Sequence, residues 1–145
     1  MPNTKAVGVA YSDPEFESVS VTGAVAVTGA VTAASVSATG ALGGTQLALN
    51  APVTKTASFT LGATENFVIC NGASANVTVT FPTASANTGR VVWVKNLSAT
   101  YTVISASSNV KPIGSGTAGT AILAASAGAW AMLVCDGTDW VVMAS

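Results

Sequence analysis

Residues 130–143 read WAMLVCDGTDWVVM, two apolar segments on either side of the polar pair Asp136-Gly137. An Asp-Gly pair between short apolar segments is the strongest local signal of a β-hairpin, because glycine readily adopts the positive φ angles of a tight turn. The sequence therefore predicts strands over 129–135 and 139–143. We expect Trp130 and Trp140, which flank this hairpin, to support a hydrophobic core.

Upstream of the hairpin, short apolar segments alternate with turn residues such as Gly, Pro and Asn-Gly. These segments predict six further strands, over 56–61, 66–70, 76–81, 90–95, 101–105 and 121–123. No segment has a sustained helical period. Many short strands with Gly and Pro between them are typical of all-β proteins, so residues 51–145 are predicted to form an antiparallel β-sandwich or jelly-roll-like domain. We expect at least two of its three tryptophans to be buried.

A second region has a strict two-residue period. From residue 19 to residue 32, every odd position is Val or Gly and every even position is Ser, Thr or Ala. A period of two predicts strands, but one thin row of valines cannot be buried by a single chain. Copies from other chains would solve this problem, so residues 19–50 are predicted to form a short interlaced, β-prism-like trimeric ribbon. The valines expected to face its threefold axis are Val19, Val21, Val25, Val27 and Val31. A disordered linker of small residues is the alternative.

The first 18 residues hold four of the eleven charged residues of the chain, together with two aromatic side chains. Aromatic anchors contribute disproportionately to protein interfaces. We therefore expect residues 1–18 to form an extended arm that docks on a partner. The candidate contact residues are Val7, Val9, Tyr11, Asp13 and Phe16.

The composition excludes several classes of function. Only 8% of the residues are charged and the net charge is −1, so the basic surface that a nucleic-acid-binding protein needs is missing. No apolar segment approaches the ~18 residues that a membrane-spanning helix needs, so no membrane partner is expected. Such a charge-poor chain is unusual for a free monomer, and this favours a surface covered by other subunits.

Residue types that carry chemistry are also scarce. The chain has no histidine and only two cysteines, Cys70 and Cys135, both in apolar segments that predict buried, inert thiols. Residues 114–119 match the nucleotide-binding pattern G-x-G-x-x-G, but no helix is predicted to follow them, as that site requires. Asp136 and Asp139 provide too few oxygens for a good calcium site. We expect no catalytic residue, no cofactor and no metal.

Three stretches resemble known modules. Residues 81–96, FPTASANTGRVVWVKN, are similar to a module of bacteriophage fibre and head-decoration proteins, and residues 130–142 resemble the hairpin that closes it. The valine ribbon is similar to the interlaced trimeric shafts of phage fibres. Residues 7–14, VGVAYSDP, look like the head-proximal end of such proteins.

This resemblance implies a homotrimer with a structural role in a virion. Because the shaft is very short, it favours a compact knob on a capsid, a trimeric cement or head-fibre protein bound to the major capsid protein. Such a protein would be synthesised in the host cytoplasm and located on the capsid surface. The alternative is a tail-fibre module that binds a receptor or carbohydrate, with a glycan at its distal tip.

Overall fold

The computed structural model describes residues 22–33, 36–37, 39 and 49–145. The chain divides into two units, residues 1–43 and 44–145. Several predicted contact residues lie outside the described ranges: Val7, Val9, Tyr11, Asp13, Phe16, Val19 and Val21.

The second unit is all-β, and its described residues contain no α-helix, only a short 3-10 turn over Ala84–Ala86. All eight strands predicted from the sequence are present, most of them shorter than predicted, and two more were missed, the first and the seventh. The strands are β1 (Val53–Lys55), β2 (Phe59–Thr60), β3 (Phe67–Cys70), β4 (Val77–Thr80), β5 (Val91–Asn96), β6 (Val103–Ser105), β7 (Val110–Lys111), β8 (Ala121–Leu123), β9 (Trp130–Cys135) and β10 (Trp140–Ala144).

The strands form two sheets, and the chain passes from one to the other at each step between β1 and β9. The larger sheet has the order β1-β3-β5-β9-β10-β7, and the smaller has the order β2-β4-β6-β8. Because each connection crosses to the opposite sheet and returns, β1, β3 and β5 run parallel, as do β2, β4 and β6. The predicted antiparallel arrangement is therefore wrong for most strand pairs, and both sheets are mixed.

From β1 to β6 the chain winds alternately through the two sheets, so neighbouring strands of each sheet are parallel. Antiparallel pairing begins only near the C-terminal end of the unit. β9 pairs antiparallel with β5 and with β10, and β8 pairs antiparallel with β6. Turn residues and short apolar strands occur equally in both arrangements, so the sequence pattern that revealed the strands could not reveal their direction.

The hydrophobic core lies between the two sheets, where their inward-facing side chains form one cluster. Strict alternation positions these side chains: in β5, Val92 and Val94 are buried whereas Trp93 and Lys95 are exposed. Trp140 is the largest fully buried side chain, and it stacks on Phe81 with ring centroids 4.7 Å apart. Burial of a large aromatic ring contributes more to stability than burial of the valines around it.

A buried polar side chain at the end of β5 is fully paired. The Asn96 amide donates to the carbonyls of Tyr101 and Ala124, both at 2.9 Å, and its oxygen accepts from the Ser98 N–H at 3.0 Å. An unpaired amide in this position would be costly. Asn96 thus connects two loops to the end of the larger sheet.

The predicted hairpin is confirmed. β9 and β10 pair antiparallel, with Trp140 opposite Cys135. Gly137 has φ 94°, and the Asp136 carboxylate accepts from the N–H groups of Thr138 (2.8 Å) and Asp139 (2.7 Å). Glycine is needed here because other residues rarely adopt this backbone angle.

In the first unit, residues 22–33 form no strand in the single chain, and all are exposed. The ribbon predicted there depends on pairing with other chains, so it stays a prediction.

Candidate interaction surfaces

The outward side of the larger sheet is the most distinctive surface of the second unit, and we call it the outer face. Strand register arranges its side chains in three rows across the sheet. The middle row is entirely apolar, and each end row contains one lysine. The rows are Thr54, Ile69, Lys95 and Trp130; then Phe67, Trp93 and Met132; then Val91, Val134, Val141 and Lys111.

Two tryptophans on the central strands β5 and β9 stand out on this face, Trp93 in the middle row and Trp130 in an end row beside Lys95. Trp93 and Trp130 stack with ring centroids 5.5 Å apart and an interplanar angle of 23°. They remain 37% and 42% exposed, respectively. Beside them lies an open apolar groove of about 280 Å³, lined also by Pro52, Phe67 and Ile69. Exposed, clustered apolar side chains of this kind mark interaction sites on soluble proteins.

The exposure of these rings corrects one sequence prediction. Only Trp140 is buried, so the expectation that two tryptophans fill the core, with Trp130 among them, is wrong. Strand parity contains the missing signal. Odd and even positions of a strand face opposite sides of the sheet. Trp93 and Lys95 are both at odd positions of β5, and the Lys95 ammonium cannot be buried unpaired. On β9, Trp130 is at an even position, whereas the buried Cys135 is at an odd one. Parity within each strand therefore assigns both rings to the outer face.

Lys95 is the unpaired cation of the outer face. Of the other described lysines, Lys55 pairs with Glu65, and Lys111 pairs with Asp136 and Asp139. The hydrogen bond from Lys55 lowers the pKa of Glu65, assisted by the Gly62 N–H. Thus every described Asp and Glu side chain already has a lysine partner, and none of these partners is Lys95.

At the hairpin tip, a lysine lies between the two aspartates that were considered as calcium ligands. The Lys111 Nζ lies 3.1 Å from Asp136 Oδ2 and 2.9 Å from Asp139 Oδ2, so an ammonium already occupies the position between them. The N–H groups of Asp139 and Thr138, together with Lys111, lower the pKa of Asp136 to about 2. The hydrogen bond to Asp139, followed by that to Asp136, raises the pKa of Lys111. These ion pairs connect β7 to the hairpin, and we call Lys111, Asp136 and Asp139 the clasp.

The two cysteines are free and buried, as the sequence predicted. Burial alone raises the pKa of Cys70 to about 11, so its thiol stays protonated and unreactive at neutral pH. Cys135 Sγ lies 3.2 Å from the Ala84 carbonyl oxygen, to which it donates. Neither thiol is placed as a nucleophile.

The glycine-rich loop over 114–119 leads into the strand β8, not into a helix. The helix N-terminus that would hold a pyrophosphate in a nucleotide site is therefore missing from this position.

The valines of the predicted ribbon that fall in the described ranges project into solvent. Val25, Val27 and Val31 are 66%, 55% and 69% exposed in the single chain. Exposed valines are expected both of the trimeric ribbon and of the alternative, a linker of small residues, so the ribbon stays a prediction.

Within the described ranges, no group of three or more Asp, Glu, Cys or His side chains could hold a metal ion, and no helix there is long and apolar enough to cross a membrane. Comparison with protein-family models, with curated proteins and with solved structures finds no match for this chain.

Proposed function

We propose that this chain is a structural protein of a bacteriophage virion, a homotrimeric decoration protein that binds and stabilises the outside of the capsid. The proposal starts from the resemblance of residues 7–14, 81–96 and 130–142 to fibre and head-decoration modules. In the described structure, the observation that supports it most is the exposed valine row. Val25, Val27 and Val31 alternate regularly and are largely exposed in the described part of the chain.

The proposed action is mechanical. The arm, residues 1–18, binds the major capsid protein, the ribbon holds three copies together, and the β-domain projects from the capsid. Three identical arms on one trimer would turn weak single contacts into firm attachment. Surface buried across neighbouring capsomers would then raise the free energy needed to separate them. Buried cysteines and paired carboxylates are consistent with a role that needs no reactive side chain.

Deletion of residues 2–17 tests attachment. We expect the shortened protein to remain a folded trimer that no longer co-sediments with capsids lacking the protein, whereas the full chain does. Sedimentation of the shortened protein alone is the control, because it shows that the trimer survives. Capsid binding by the shortened trimer would contradict the role of the arm.

Trimerisation through the ribbon has a separate test. Replacing Val25 or Val27 with Asp would bring three carboxylates together at the axis, which is very costly without partners. We expect sedimentation equilibrium to show that the copies no longer associate through the ribbon. Substitution of Thr28 by Asp is the matched control, because its even position is predicted to face outward. If the Val27→Asp variant associates through the ribbon as strongly as the Thr28→Asp variant does, the ribbon model is contradicted.

The alternative, a receptor- or carbohydrate-binding module of a tail fibre, is favoured by one observation. The stacked pair Trp93 and Trp130 presents exposed aromatic rings, which sugars use as stacking platforms. However, sugar hydroxyls also need polar partners, and the groove beside the rings offers Lys95 as its only polar side chain. Binding of the full chain to tails or host cells, but never to capsids, would establish this alternative.

A further inference from the structure

The outer face of the larger sheet is too apolar to be an ordinary solvent-facing surface. An open sheet normally has one buried and one polar face, which gives an alternation of apolar and polar residues along each strand. Here, the outward positions of the central strands are also apolar apart from Lys95, with Trp93 on β5, Met132 and Val134 on β9, and Val141 on β10. This second apolar face contributes little to the core between the sheets.

From these features we propose that the outer face is a self-association surface, covered by the same face of a second copy of this chain. Because three identical faces cannot pair off within the proposed trimer, that copy belongs to a neighbouring trimer. This self-association goes beyond the proposed function, because it adds a contact in the β-domain that depends on neither the ribbon nor the capsid.

The size of the face suits a weak self-association. The six strands are two to six residues long, so at ~3.3 Å per residue and ~4.8 Å between strands the face covers roughly 410 Å². Two copies packed face to face would bury about 800 Å² in total, which is the size of a weak, transient contact. Clustered tryptophans such as Trp93 and Trp130 are the side chains that most often dominate binding energy.

The chemistry of the face favours a second copy over a different partner. Interfaces between identical subunits are more apolar than other interfaces, and this face has almost no polar group that would select a foreign surface. Its two lysines lie in the end rows. Lys111 is neutralised by Asp136 and Asp139, and Lys95 can extend its ammonium to the solvent at the rim. Like charges therefore need not meet when two such faces come together.

The sheet edges offer a poorer route to association. The edge strands of the larger sheet, β1 and β7, have only three and two residues, and the edge strands of the smaller sheet are equally short. Short edges are a known protection against strand-to-strand pairing. The available surface is thus the face itself.

Sedimentation velocity of the full chain tests the proposal. Val25→Asp and Val27→Asp are included in every sample, so that the ribbon does not hold the copies together. We expect this background protein still to self-associate at high concentration. Addition of Trp130→Glu should weaken that association at least about tenfold, because it replaces an exposed aromatic ring of the contact with a charge beside Trp93.

Ile113→Glu is the matched control, since Ile113 is an exposed aliphatic residue in the loop after β7 and outside the outer face. It should leave the association unchanged. If Trp130→Glu impairs folding, Trp130→Ala provides the same comparison without a buried charge. A background protein that remains monomeric at every concentration, or one that associates equally well with and without Trp130→Glu or Trp130→Ala, would overturn the proposal. Because no capsid is present, neither result bears on attachment of the arm.

Discussion

The two faces of the larger sheet are built from the same strands and differ in what they contact. The inner face packs against the smaller sheet through fully buried side chains such as Val92, Leu133 and Trp140. The outer face is also largely apolar, but its two tryptophans remain partly exposed in the described structure. Apolar character alone therefore does not distinguish a core from an interface. The two differ in whether another part of the same unit packs against the face.

The difference is clearest for the tryptophans of the terminal hairpin. Trp140 is completely buried and stacks on Phe81, whereas Trp130 is 42% exposed and stacks on Trp93. We infer that the first ring stabilises the fold and that the second is available for association. Substitutions on the two faces should therefore have separable effects on stability and on assembly.

The largest effect is expected from Trp140→Ala. Loss of a fully buried tryptophan leaves a cavity and typically costs about 3–5 kcal/mol of unfolding free energy. Chemical denaturation followed by circular dichroism would measure this loss. A variant as stable as the wild type would mean that the inner face does not depend on this ring.

Gly137→Ala should have the next largest effect. At φ 94°, alanine is strained, and its Cβ would lie 2.9 Å from Thr88 Oγ1. A strained backbone of this kind costs about 1–3 kcal/mol. Because the hairpin turn sets the register that directs Trp140 inward, the same denaturation experiment would report a weakened core. Gly116→Ala is the control, because its Cβ would meet nothing within 4 Å, and it should be nearly neutral.

Trp130→Ala should have a smaller effect on stability. Its ring is partly exposed, so less buried apolar area is lost than at Trp140, and the stacking on Trp93 adds only about 0.5–1.5 kcal/mol to that loss. This value applies to dilute, monomeric protein, where no second copy contributes. A loss as large as that of Trp140→Ala under the same conditions would remove the distinction between the two faces.

The smallest effect concerns pH and the clasp at the hairpin tip. Asp136 has a folded pKa of about 2, below its usual value of 3.8. A lowered folded pKa stabilises the protein above pH 4, and this contribution is lost as the pH falls from about 4 towards 2. Asp136→Asn should therefore reduce the dependence of the unfolding midpoint on pH in this range. Glu65, whose pKa is also lowered, remains in both proteins, so the difference between them isolates Asp136.

Sequence patterns located eight of the ten described strands but did not predict their arrangement. Asp136-Gly137 predicted the hairpin correctly because a local turn depends on local residues. The parallel pairing of β3 with β5 depends on crossing through the other sheet, and no local pattern records that path. The outer face could not be predicted from the tryptophans alone, because a tryptophan in an alternating strand is equally compatible with a core and with an interface. Lys95 indicates which side of β5 is exposed.

Quenching of tryptophan fluorescence by acrylamide is the most direct test of the claim that the outer face is covered in the assembled protein. The wild type would be compared with the double variant Trp93→Phe/Trp130→Phe, which retains only the buried Trp140. If a second copy covers the face, the assembled wild type should be quenched as weakly as the double variant. Strong quenching of the assembled wild type, with weak quenching of the double variant, would show that both outer rings remain in solvent and would contradict the claim.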